Sequence, residues 1–257
     1  DITYVNGTLE VTKQAVTITA DSDTKVYDGT ALTKNSCTNT ALAAGDSIES
    51  VTVTGSQTVV GSSDNVPSAA KIVNAAGEDV TASYDITYVN GTLEVTKLAV
   101  TITADSDTKV YDGTALTKDT YTNTALAAGD SIESVTVTGS QTVVGNSANV
   151  PSAAVIKDGS EDVTANYNIT YVNGTLVVTE NENAIVITSA DKTWTYDSEV
   201  HKEEVYTVTY GQTAVAADAT GKVFTLPTGD TITITATAAG VKDVADTAAD
   251  NNTFTYV

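Results

Sequence analysis

Methionine is absent from the chain, and cysteine, tryptophan and histidine occur once each. A single thiol closes no internal disulfide and founds no cysteine metal cluster. Cys37 also falls where a second copy of the same sequence has Tyr121, so it reads as a packing residue. His201 lies in a different segment from Cys37, so no Cys–His nucleophilic pair forms within one domain. Gly-rich phosphate loops and His-rich zinc patterns are missing as well, and the chain does not read as an enzyme. Basic side chains are scarce, 12 against 33 acidic ones, for a net charge of −21. That balance argues against nucleic acid, whose phosphates need Lys and Arg. It also speaks against an anionic membrane surface. No apolar run reaches the length of a membrane span, so no membrane insertion is expected, and no signal peptide is recognisable.

Repetition takes the place of these features. Residues 15–34 recur identically as 99–118, and residues 38–61 recur as 122–145. A closing stretch, Asp85-Ile-Thr-Tyr-Val-Asn-Gly-Thr-Leu-Glu-Val-Thr-Lys97, appears three times, beginning at Asp1, Asp85 and Asn168. A fixed period of this kind marks a tandem array. The expected division is 1–13 as the close of a preceding repeat, 15–97 as repeat 1, 98–179 as repeat 2, and 184–257 as a divergent third segment. Since the chain opens inside such a stretch, it is expected to be a piece of something longer.

The closing stretch reads as a β-hairpin. Asn6-Gly7, Asn90-Gly91 and Asn173-Gly174 supply pairs that tolerate φ > 0, as a type I′ turn requires. In that register Tyr88 faces Leu93 and Ile86 faces Val95. Alternation in Val16–Thr19 and Ser47–Thr54, with extended stretches near Thr24–Tyr27, Thr58–Val60 and Ala69–Val73, gives about seven strands per repeat. Thr40–Ala44 is the one candidate helical turn, and residues 35–37 and 71–78, where the copies differ, read as surface loops. The fold class is therefore all-β: a tandem array of small sandwich-like or grasp-like domains arranged as an elongated rod. Joints as short as Lys97-Leu98 hold neighbours semi-rigidly, while the longer, acidic Glu180–Asn183 joint should bend more.

The Lys-Val-Tyr-Asp-Gly-Thr motif and the closing Tyr-x-Ile-Thr-Tyr-Val-Asn-Gly-Thr-Leu stretch are similar to those of the MBG-type and YDG-type repeats of large bacterial surface proteins. The resemblance implies extracellular, adhesin-like proteins of the bacterial cell surface, in which the repeats form a stalk. A multivalent module for a host glycan or protein is the other reading, with weak sites summed by avidity. The third segment departs from the pattern, with Ser198 where the motif has Gly and nothing after Val257 to match Asn-Gly-Thr-Leu.

Three kinds of site stand out by residue type. Asp21, Asp23 and Asp28, with Asp105, Asp107 and Asp112 in the second copy, space carboxylates as a Ca²⁺ loop does, though no closing bidentate Glu follows. No other cofactor is indicated. Lys25 and Asn90 are candidates for an isopeptide crosslink, and Gln57 for an ester. Trp194, in the divergent segment, is the candidate ligand contact. The chain is expected to be a monomer or to associate head to tail, its first closing stretch completing the third segment of another copy.

Overall fold

The computed structural model describes residues 1–257, and the chain is all-β. Residues 1–13 form no strand and are exposed, so the first predicted hairpin is not formed. Seven strands follow in repeat 1: β1 (Gln14–Ala20), β2 (Asp23–Val26), β3 (Cys37–Asn39), β4 (Ser47–Thr54), β5 (Gly61–Val73), β6 (Tyr84–Val89) and β7 (Gly91–Thr96). They form two sheets, ordered β3-β1-β6 and β2-β7-β5-β4.

The second predicted hairpin is also absent, and the reason is topological. β6 pairs in parallel with β1, Tyr88 opposite Ile18, while β7 pairs in parallel with β2, Leu93 opposite Asp23. β1–β2 and β6–β7 are therefore two strand pairs that each cross from one sheet to the other side by side. Asn90-Gly91 is the crossing corner of the second pair, and neither residue has positive φ. An added Cβ on Gly91 would meet the carbonyl oxygens of Ala20 and Asp21. Glycine is needed here for close backbone approach, not for a left-handed turn. The register predicted from the turn places Tyr88 against Leu93; the strand pairings instead put them in different sheets.

Alternation holds along β1, where Val16, Ile18 and Ala20 are buried, and along β7, where Gly91, Leu93 and Val95 are buried. It slips by one residue in β5: Asn65 and Pro67 are buried, then Ala70 and Ile72. Ala69, at φ 47°, is the extra residue of a β-bulge, and the β4–β5 register shifts there. β5 takes in the predicted Ala69–Val73 strand and starts earlier, at Gly61, so of the differing residues 71–78 the first three lie in a strand rather than in a loop. Thr40–Ala44 forms no helix, because the Ala43 amide donates to the Tyr84 hydroxyl (3.0 Å).

Repeat 2 contains β8 (Leu98–Ala104), β9 (Asp107–Val110), β10 (Tyr121–Asn123), β11 (Asp130–Thr138), β12 (Gly145–Asp158), β13 (Glu161–Asp162), β14 (Tyr167–Val172) and β15 (Gly174–Thr179). Its strand orders repeat those of repeat 1, including the parallel β8–β14 and β9–β15 pairs. The same corner recurs at Asn173-Gly174, where a Cβ would meet Ala104 and Asp105, and the third hairpin prediction is corrected in the same way. The third segment contains β16 (Ile185–Ser189), β17 (Tyr206–Tyr210), β18 (Thr213–Val215), β19 (Val223–Thr225), β20 (Thr231–Ala236) and β21 (Phe254–Tyr256), in sheets β16-β17-β18 and β19-β20-β21.

The chain divides into two compact units, and the division runs through repeat 2. The first unit comprises Asp1–Thr103, Thr122–Thr136 and Ser152–Val172. Its largest core joins Tyr27, Leu32, Leu93 and Val95 of repeat 1 to Val100, Ala127, Ile156 and Tyr167 of repeat 2. The second unit comprises Ala104–Tyr121, Val137–Pro151 and Asn173–Val257. It holds a small core of Leu116, Leu176 and Val178 and a larger one around Tyr206, Val208, Phe224 and Ile234.

Candidate functional site

The motif Lys25-Val26-Tyr27-Asp28-Gly29-Thr30 folds into a tight corner after β2. Asp28 Oδ1 accepts hydrogen bonds from the Thr30 amide and hydroxyl, both at 2.8 Å, and from Lys25 Nζ at 2.6 Å. Gly29 takes φ 81°, a left-handed conformation that glycine adopts freely. The corner is thus an Asp-capped turn with a lysine folded over it. Lys109, Asp112, Gly113 and Thr114 build the same corner in repeat 2.

The corner aims Tyr27 out of its own repeat. Its ring is buried and lies edge-on to Tyr167, with centroids 5.6 Å apart and planes at 78°. Tyr167 donates to Asp130 Oδ2 at 2.5 Å and accepts from the Ala127 amide at 3.1 Å. The Val60 amide donates to Asn166 Oδ1 at 2.9 Å. Burial, then the Asp130 carboxylate, holds the Tyr27 phenol above its ordinary pKa, and burial followed by the hydrogen bond to Asp130 does the same to Tyr167. Both phenols therefore stay neutral and serve as hydrogen-bonding aromatic packing. The Tyr111 corner, in the second unit, uses the same chemistry more loosely. Its hydroxyl reaches both Asp230 oxygens at 3.1 Å, and Asn181 Nδ2 donates to its carbonyl at 2.9 Å. Each corner therefore docks on the segment that follows it in sequence.

Residues 100–177 match the MBG domain (YGX type). The match begins in β8, takes in the Tyr111 corner and ends in β15. The MBG domain is a structural repeat domain of surface proteins and is not known as enzymatic. Repeat 1 duplicates the matched stretch over 15–34 and 38–61, so the MBG pattern recurs there, and the match stops before the third segment. No curated protein matches the chain.

The corner disposes of the loop carboxylates separately. Asp28 is taken by Lys25 and Thr30; Asp21 Oδ2 accepts from the Ser36 hydroxyl at 2.5 Å; Asp23 Oδ1 accepts from the Thr24 amide at 2.9 Å. In repeat 2, Asp112 is taken by Lys109 and Thr114, Asp105 by the Thr120 hydroxyl and Asp107 by the Thr108 amide. No three carboxylates converge, so the spacing predicted for Ca²⁺ does not produce a shared oxygen cage. Lys25 and Asn90 are likewise not brought together: Lys25 binds Asp28 and Thr30, and Asn90 Nδ2 donates to Asp64 at 3.0 Å. Gln57 Nε2 donates to the Val59 carbonyl at 2.7 Å.

The lysine lowers the Asp28 and Asp112 carboxyls to about 2, with the Thr30 and Thr114 amides adding to the effect. A carboxyl lowered on folding contributes stability above its ordinary value of 3.8, and the contribution is lost as pH falls toward 2. The melting temperature should therefore fall between about pH 4 and pH 2. The Lys25→Met, Lys109→Met double variant should show a flatter acid slope; an unchanged slope in thermal melts would reject these corners as its source.

Residue type and spacing do not single out Asn65 and Asn149. Asn65 is fully buried, and its Nδ2 donates to the Asp21 carbonyl at 2.9 Å and the Lys34 carbonyl at 2.8 Å. Asn149 repeats both bonds to Asp105 and Lys118. The side-chain amide thereby fixes the loop against which the Gly91 or Gly174 corner rests. One signal was available: Ser62-Ser63-Asp64 becomes Asn146-Ser147-Ala148 between copies, while the next residue stays Asn.

Trp194 is half-buried in a cleft of about 660 Å³ in the second unit, also lined by Tyr196, Lys202, Glu203, Lys242 and Asn251. Its indole stacks on His201 at 5.2 Å and 13°, and His201 Nε2 lies 2.9 Å from Asp197 Oδ1. Asp197-Ser198 matches Asp28-Gly29, and Ser198 keeps the left-handed conformation at φ 71°. A side chain there costs about 1 kcal/mol. Ser198→Gly should raise the stability of the third segment by about that amount in urea titration. A destabilising effect would show that the Ser198 hydroxyl, 3.2 Å from the Tyr196 hydroxyl, outweighs the strain.

Proposed function

We propose that these repeats are a spacer of a bacterial surface adhesin, projecting a distal binding region away from the cell. The observation that carries this reading is the Tyr27 corner: one copy of a nearly identical sequence is braced into the core of the next, with a single residue between β7 and β8. A binding site needs one good copy, whereas a spacer gains reach from every copy that is held firmly. The acidic, weakly hydrophobic surface keeps such an array soluble outside the cell.

A second reading, a binding module for a host glycan or protein, is favoured by the Trp194–His201 stack in its polar cleft. Aromatic faces beside hydrogen-bonding side chains suit sugars, although one face of this indole is covered by His201. Screening the full chain and its Trp194→Ala variant against glycan and host-protein arrays separates the two. The spacer reading expects no retained ligand. A ligand that the variant loses would establish the binding module in its place.

A further inference from the structure

We propose that the face of repeat 1 formed by Leu42, Ala43, Asp46, Val80, Tyr84 and Ile86 is the docking site for the Tyr-Asp-Gly corner of another repeat of the same sequence, joined through residues 1–13. The same face in repeat 2 is Leu126, Ala127, Asp130, Val163, Tyr167 and Ile169, identical position by position. There it is occupied: all but Asp130 belong to or pack on the core that includes Tyr27, and Asp130 holds the Tyr167 hydroxyl. In repeat 1 the face is prepared in the same way. Tyr84 donates to Asp46 Oδ2 at 2.7 Å and accepts from the Ala43 amide at 3.0 Å, and Leu42, Ile48, Val80 and Ile86 surround it. No corner tyrosine packs on it in this chain, where the cluster around Tyr84 holds residues of repeat 1 alone. Ala43 is exposed where its counterpart Ala127 is buried.

The occupant follows from the joint. Residues 1–13 have the sequence of 85–97, the stretch that leads from repeat 1 into β8 and so places the Tyr27 corner on repeat 2. A repeat ending in residues 1–13 would present its own corner to this face by the same path. One position differs: Ser83 stands where Asn166 accepts from the Val60 amide. The contact on repeat 1 is therefore expected to be one hydrogen bond poorer than the contact on repeat 2. This inference concerns contact between repeats and does not depend on the spacer reading.

The test places a thiol on the face by Ala43→Cys in a Cys37→Ser background, and compares the chain with one lengthened by a copy of residues 15–84 ahead of Asp1. That copy, carrying Ser at its own Cys37 position, completes a repeat with residues 1–13. Alkylation of the introduced thiol should be fast in the original chain and at least about tenfold slower in the lengthened one. Ala127→Cys in the original chain supplies the slow reference. Changing the copy's equivalent of Tyr27 to Ala should restore fast alkylation, and changing it to Phe should restore it in part. Folding of the copy is read from the gain in strand circular dichroism. An unprotected thiol beside a folded copy would overturn the proposal. So would a thiol already protected in the original chain in a concentration-dependent way, since the occupant would then be a second molecule.

Discussion

Gly91→Val should unfold repeat 1, and Gly174→Val should disrupt repeat 2, while Gly7→Val should leave the melting temperature unchanged. All three glycines sit in the same Asn-Gly-Thr sequence, so the contrast isolates structure from local propensity. At Gly91 an added Cβ would stand 2.5 Å from the Ala20 oxygen and 2.8 Å from the Asp21 carbonyl carbon. At Gly174 it would stand 2.6 Å from the Ala104 oxygen. At Gly7 nothing lies within 4 Å. The obstructing atoms are backbone, and they have little freedom to retreat, because the Asn65 amide holds the Asp21 and Lys34 carbonyls. Overpacking against fixed atoms costs about 3 kcal/mol or more, a large share of the stability of a domain this small. Asn90→Ala, by contrast, removes one exposed hydrogen bond to Asp64 and should cost under about 1 kcal/mol. Urea titration of the four variants decides the matter. Equal losses at Gly91 and Asn90 would restore the hairpin.

Tyr27→Ala should destabilise the chain by about 3–5 kcal/mol, the range for emptying a buried aromatic site. Tyr111→Ala should cost clearly less. The two tyrosines lie in identical stretches of sequence, yet Tyr27 is 4% exposed and packs edge-on against Tyr167, whereas Tyr111 is half-buried beside a shallow cleft at Asp230 and Tyr210. Loss of Tyr27 also removes the ring that joins the core of repeat 1 to that of repeat 2, so the unfolding transition should broaden as the repeats melt separately. Tyr27→Phe, which keeps the ring and loses the hydroxyl near Asp130, should recover most of the loss. Matching shifts for Tyr27→Ala and Tyr111→Ala would show that the inter-repeat contact contributes nothing.

Strand periodicity was legible because β-branched alternation is local: Ser47–Thr54 was read in full and is β4. Repeats were legible from identity alone. The pairing of the closing stretch was not, because Asn-Gly between two alternating runs satisfies both a hairpin turn and a crossing corner, and only a long-range contact with Ala20 and Asp21 selects between them. The bulge at Ala69 was invisible for a related reason, since alanine carries no signal for φ > 0. For the candidate site, the Tyr-Asp-Gly turn could be read from residue type, but the direction of its tyrosine could not, because its partner Tyr167 is distant in sequence. In the acidic loops the carboxylate spacing is legible and the local hydrogen-bond partners are not. Spacing alone cannot show that Lys25, Ser36 and Thr24 each take a carboxylate first.

Identical repeats that brace one another, as proposed, would set a length. Solution scattering from the chain, and from chains lengthened by one and by two further repeats, measures that length. The maximum dimension should rise by the same step with each repeat, and the rise should be smaller and less regular when every corner tyrosine is replaced by alanine. A dimension that grows only as the square root of repeat number, as flexibly linked beads would give, or one indifferent to the corner tyrosines, would contradict that bracing.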